Sequence, residues 1–117
     1  MKNIIVLISL YVSLSNSYSQ DRLPELVGGL DSLQKIIVNP TNTDVEGKVE
    51  LIVFLNEKGK IDSIRVTKTI GKEFEKESIE KIRTMKFIPA FNYTINKSIR
   101  SQMLVPVIFP PDKYFDN

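Results

Sequence analysis

The fold turns on Gly47-Lys48-Val49-Glu50-Leu51-Ile52-Val53-Phe54-Leu55-Asn56-Glu57-Lys58-Gly59-Lys60-Ile61-Asp62-Ser63-Ile64-Arg65-Val66-Thr67-Lys68-Thr69. Val49, Leu51, Val53 and Leu55 fall on one face and Glu50, Ile52, Phe54 and Asn56 on the other, an alternation that belongs to a strand. Asn56 to Lys60 reads as a tight turn in which Gly59 supplies a positive φ, and alternation resumes from Ile61 with Ile64 and Val66. The stretch is therefore an antiparallel hairpin with one strongly apolar face.

Beyond it, Gly71 breaks the alternation. Phe74, Ser78, Ile79, Ile82 and Met85 then line up as a helical stripe. Glu73, Glu75 and Glu77 stand toward the start of this helix and Lys81, Arg83 and Lys86 toward its end, an order that complements the helix dipole and adds a Glu77–Lys81 pair. Phe87 to Phe91 leaves the helix, and Asn92 to Ser98 carries turn residues around Tyr93 and Ile95. Alternation returns in a third strand, with Met103, Val105, Val107 and Phe109 on one face and Gln102, Leu104, Pro106 and Ile108 on the other, ended by Pro110-Pro111. On the N-terminal side, Gly28-Gly29 opens a short helix with Leu30, Leu33, Ile36 and Ile37 as its apolar stripe. Asn39-Pro40 stops that helix, because a residue before Pro disfavours the helical region. Thr41 to Glu46 has no periodicity and is a loop.

Topology limits the assembly. A helix that carries the chain back along the sheet makes the third strand parallel to the second, and a right-handed crossover lets it lie beside the first. The expected architecture is α+β: a three-stranded antiparallel sheet in the order 2-1-3, with both helices on one face, a ββαβ arrangement. Pro106 cannot donate to a ladder and so belongs on an edge strand. An open edge presents unpaired N–H and C=O groups that can take an extended peptide as an added strand, and Arg100, Gln102 and Leu104 are its outward-facing positions. The alternative is an edge merely blunted by Arg100 and Pro106.

Composition narrows the function. The chain has 117 residues, and 16 Lys and Arg against 14 Asp and Glu leave a net charge of +2 with no long basic run, so no phosphate-neutralising stripe for nucleic acid exists. With no Cys and no His, the chain holds no thiol or imidazole nucleophile, no Ser-His pair, no thiolate or imidazole metal site and no disulfide framework. Glu50, Glu57 and Asp62 alternate on the hairpin and its turn, which suits a solvated face better than a carboxylate pair or a calcium site. Gly28-Gly29 lacks the Gly-Lys-Ser/Thr that a phosphate loop needs and reads as a helix entry turn. Phe91, Tyr93, Ile95 and Ile99 form either an exposed apolar patch or a cover over the core, which burial decides. No enzyme, no cofactor and no metal is expected.

The first residues read as a targeting segment. Lys2, the apolar run Ile4 to Leu14 and the small, polar Ser15 to Ser19 have the three-part layout of a secretory signal, with cleavage between Ser19 and Gln20. The apolar run, interrupted by Ser9 and Ser13, is short of the about 20 residues that a bilayer span needs. The expected organisation is a signal peptide over residues 1–19, a domain over 20–111 and a solvated tail over 112–117. Gln20 to Val27, all that separates cleavage site from domain, extends at most about 29 Å.

Leu23-Pro24, Val27-Gly28-Gly29, Asn39-Pro40, Glu46-Gly47-Lys48-Val49, Phe54, Glu57-Lys58-Gly59-Lys60-Ile61, Glu75 to Met85, Phe87-Ile88-Pro89-Ala90 and Val105 to Phe109 follow one another in an order and spacing similar to the C-terminal domain of the TonB energy-transducer family. The resemblance implies a domain in the periplasm of a Gram-negative-type envelope whose last strand recruits the short N-terminal box peptide of outer-membrane receptors. Transferred to this chain, that strand is Ser101 to Phe109, and the partner-binding positions are Arg100, Ser101, Gln102, Met103, Leu104 and Val105. The alternatives are an assembly domain that pairs with itself or with another envelope protein through the same edge, and a minimal membrane-anchored transducer if the N-terminal segment is retained. Contact with a membrane is expected only in that last case.

Overall fold

The computed structural model describes residues 21–116, and the expected targeting segment lies outside them. Its elements are β1 (Asp21–Arg22), β2 (Glu25–Leu26), α1 (Gly29–Ile36), β3 (Gly47–Leu55), β4 (Ile61–Lys68), α2 (Lys72–Ile82), β5 (Phe87–Ile88), β6 (Ala90–Asn92), β7 (Lys97–Ile99), β8 (Ser101–Phe109) and a 3-10 helix (Pro111–Phe115). The hairpin β3–β4 and the strand β8 make one antiparallel sheet in the order β4-β3-β8. Its turn closes through Asn56, whose side-chain oxygen accepts from the amides of Lys58 at 2.8 Å and Lys60 at 2.9 Å. Gly59 sits at φ +81°, where an added Cβ would lie 2.5 Å from the Phe87 carbonyl oxygen, so the turn needs glycine for both conformation and space.

One face of this sheet is the core. Val49, Leu51, Val53, Leu55, Val105, Val107 and Phe109 are buried against Leu33 and Ile37 from α1 and its exit and against Phe74 and Ile82 from α2. The Phe74 and Phe109 rings meet edge to face at 4.9 Å, a geometry that adds to simple area burial. The helices are also tied to each other: Glu77 on α2 accepts from the Val38 amide at 2.8 Å and pairs with Lys81.

Four expectations are corrected. A single sheet was expected, but two smaller ones accompany it: β2 pairs with β5, and β1, β6 and β7 form a three-stranded sheet in the order β1-β6-β7. Strands of two or three residues are too short to show a period: β1 and β2 exist only through pairing with β6 and β5 far along the chain, and β6 and β7 pair with each other across a short hairpin. Residues 21–27, expected only to separate cleavage site and domain, are part of the folded body, with Leu26 buried and the Val27 amide donating to the Lys86 carbonyl at 2.9 Å. In α1 the buried arc is Leu33, Gln34 and Ile37, whereas Ile36 is exposed. Finally, the supposed solvated tail opens with the 3-10 helix, anchored by a Tyr114 hydroxyl donating to Asp31 at 2.7 Å and by a Lys113–Glu46 pair at 3.4 Å. No helix among the described residues is long and apolar enough to cross a membrane.

Candidate functional site

β8 lies at the border of the main sheet and, among the described residues, pairs with β3 alone. The ladder runs without interruption from Gly47↔Phe109 to Leu55↔Ser101. The opposite border, β4, is of a different quality: its ladder with β3 shifts register twice, at Glu50/Leu51 and at Phe54/Leu55. Such shifts twist an edge away from further pairing, whereas a long regular edge invites it.

Ile108 fixes which backbone groups of β8 face outward. Its N–H donates to the Gln34 side-chain oxygen at 3.1 Å, and its C=O accepts from the Gln34 side-chain nitrogen at 2.7 Å. Both groups therefore point away from β3. In an antiparallel ladder consecutive residues alternate between facing the partner and facing away. Leu104 and Gln102 accordingly turn both N–H and C=O outward, and Pro106 turns out its C=O where the missing N–H costs no ladder bond. Ser101, Met103, Val105, Val107 and Phe109 spend theirs on β3.

The side chains divide in the same rhythm. Val105 is fully buried and Met103 packs against the core, while Gln102 and Leu104 are exposed on the uncovered sheet face, Leu104 at 54%. Opposite them on β3 stand Phe54 and Ile52, with the Arg65 guanidinium 5.5 Å from the Phe54 ring centre. On the same face Lys48 bonds Glu50 at 2.9 Å and holds its carboxyl below the ordinary value. The hydroxyl of Ser101 accepts from the Ala90 amide at 3.2 Å, joining β8 to β6. The Arg100 side chain is directed elsewhere: it pairs with Asp62 at the start of β4 and lies 3.9 Å from Glu57 in the turn.

Of the positions singled out in the sequence, the structure thus gathers Gln102 and Leu104 on the open border, turns Ser101, Met103 and Val105 inward through their backbone, and engages Arg100 in the hairpin. Sequence reasoning missed Gln34, whose side chain bonds the outward backbone groups of Ile108 on the border. It follows Leu33 and precedes Ile37 by three, a place on the buried arc of α1 that a polar residue occupies only with a partner. Phe91 and Ile99 are half-buried and Tyr93 and Ile95 exposed, so the hairpin β6–β7 leaves its tip in solvent. A separate hollow is lined by Lys58, Lys60, Arg83 and Lys86 around Ile61 and Met85.

An exposed regular border on a small α+β domain is a surface on which another strand can pair. The chain belongs to the family described as Gram-negative bacterial TonB protein C-terminal, whose model matches residues 41–111 and so spans β3, β4, α2 and all of β8. Members of that family are non-enzymatic, act in the periplasm of Gram-negative envelopes and interact with outer-membrane receptors. No curated protein and no solved structure matches the chain.

Proposed function

We propose that the chain is a periplasmic module of the TonB type that captures an extended peptide of an outer-membrane receptor as a fourth strand beside β8. One observation carries this: on an uninterrupted edge, the outward N–H and C=O groups of Gln102 and Leu104 and the C=O of Pro106 have no strand beside them among the described residues. A visiting strand satisfies these groups with its own backbone, so affinity comes from main-chain pairing. Selectivity comes from the alternate side chains it lays beside Gln102, Leu104 and Pro106. Residues 21–27 add no reach to the module, because β1 and β2 fold them onto β6 and β5.

Titration with synthetic box peptides of outer-membrane receptors, followed by backbone amide shifts, tests the proposal. Shifts are expected at Gln102 and Leu104. Their absence throughout Ser101 to Val105 refutes capture at this border. Sedimentation at several concentrations checks the competing occupant, since a second copy pairing through the same edge gives a concentration-dependent dimer.

A further inference from the structure

Gln34 is the odd residue of α1. It is 2% exposed, it carries an amide, and both ends of that amide are spent on a single backbone position of another element, Ile108. A primary amide that donates to a C=O and accepts from the N–H of the same residue reproduces the pair of bonds that a neighbouring antiparallel strand would make. The helix thus occupies, with one side chain, the ladder position that lies next in line after Pro106.

We propose that Gln34 is a strand stop: it seals the border of β8 at Ile108 and confines added pairing to Gln102 through Pro106. This deepens the function proposed above and rests on it for the identity of the visitor. Two features act together. Pro106 offers an acceptor without a donor, which weakens pairing there, and Gln34 ends it one ladder position later, where α1 itself stands beside the strand. A visitor is then held through the groups of Gln102 and Leu104, with a single acceptor at Pro106. It cannot slide toward the C-terminal end of β8 without displacing a buried amide whose two bonds it would have to replace. Gln34 accordingly sets both the length and the register of the docked segment, while touching none of its side chains.

Amide hydrogen exchange on the full chain tests the stop without any partner. In the wild type, the Ile108 amide is expected to exchange slowly and the Gln102 and Leu104 amides fast, although all three face away from β3. In Gln34→Met, which keeps the volume but offers no amide, the Ile108 amide should exchange about tenfold faster, the loss of one hydrogen bond, while the Val107 and Phe109 amides stay as they were. Gln34→Glu keeps an acceptor for the Ile108 N–H and should fall between the two. Unchanged Ile108 exchange in Gln34→Met overturns the proposal, as does wild-type Ile108 exchanging as fast as Leu104. Should Gln34→Met fail to fold, Gln34→Glu and the wild-type comparison still decide it.

Box peptides supply the second arm. Shifts at Gln102 and Leu104 that stop short of the Ile108 amide support the stop, and an Ile108 shift as large as that of Leu104 overturns it. Peptides that perturb none of these amides refute strand capture instead, and the exchange data alone then decide the role of Gln34.

Discussion

Replacing Leu104 by Pro separates the open side of β8 from its paired side. The Leu104 N–H faces outward, as the absent one of Pro106 would, so a proline here breaks no bond to β3. Its side chain is more than half exposed, so little burial is lost. The domain should therefore lose no more than about 1 kcal/mol, most of it from forcing φ toward the proline value. Binding should suffer far more. A docked peptide loses a donor and keeps an unpaired carbonyl against the ring, a cost of about 1–3 kcal/mol, which is roughly a five- to 150-fold rise in Kd. Met103→Pro is the control, because the Met103 N–H faces Val53 on β3. It should cost the fold a ladder bond, about 1–3 kcal/mol, before any peptide is added. Urea unfolding and calorimetric titration with a receptor box peptide read both quantities. If Leu104→Pro destabilises the domain as much as Met103→Pro, the assignment of outward and inward groups is wrong. If it folds and binds with unchanged Kd, the peptide docks elsewhere.

Three further outcomes follow from the same geometry. Gly59→Ala should lower stability by about 2 kcal/mol or more in urea unfolding, since the added methyl group is strained at φ +81° and meets the Phe87 carbonyl. Phe109→Ala empties a buried site and removes the edge-to-face contact with Phe74, and should cost about 3–5 kcal/mol by the same measurement. The Tyr114 hydroxyl, held by its bond to the Asp31 carboxylate, titrates above its ordinary 10.0. A pKa raised in the folded state gives stability that is complete below the unfolded value and lost as pH rises through the folded one, so this contribution should begin to fall at pH 10.0 and be gone once pH exceeds the folded value. Ultraviolet titration of the phenols should show one ionising late, and Asp31→Asn should bring it back toward the others.

The hairpin, α2 and β8 were legible in the sequence because each is long enough for hydrophobic side chains to repeat several times on one face. The five short strands were not, since Asp21–Arg22 becomes a strand only when Phe91 and Asn92 come beside it. The loop between β6 and β7 did carry a local signal: Asn92 accepts from the amides of Thr94 at 2.9 Å and Ile95 at 3.2 Å, and Asn96 takes φ 57°. Asparagine at both positions is turn chemistry, but the flanking runs are too short to announce a hairpin. At the open border of β8, Pro106 pointed to an edge through its missing donor, and the alternation of Gln102 and Leu104 followed from it. Gln34 escaped because a search for apolar periodicity passes over a polar residue, although its buried place beside Leu33 obliged it to find a partner. The Arg100 guanidinium pairs with Asp62, an ion pair from the residue before β8 to the start of β4 that no local pattern encodes.

In the proposed complex an extended receptor peptide joins the main sheet along Gln102 to Pro106. Interstrand nuclear Overhauser contacts between an isotope-labelled box peptide and the domain address it most directly. Backbone contacts from the peptide to Gln102 and Leu104, with none to the outer side of β4, are the predicted result. Contacts confined to β4 or to the β1-β6-β7 sheet, with Gln102 and Leu104 untouched, would contradict it.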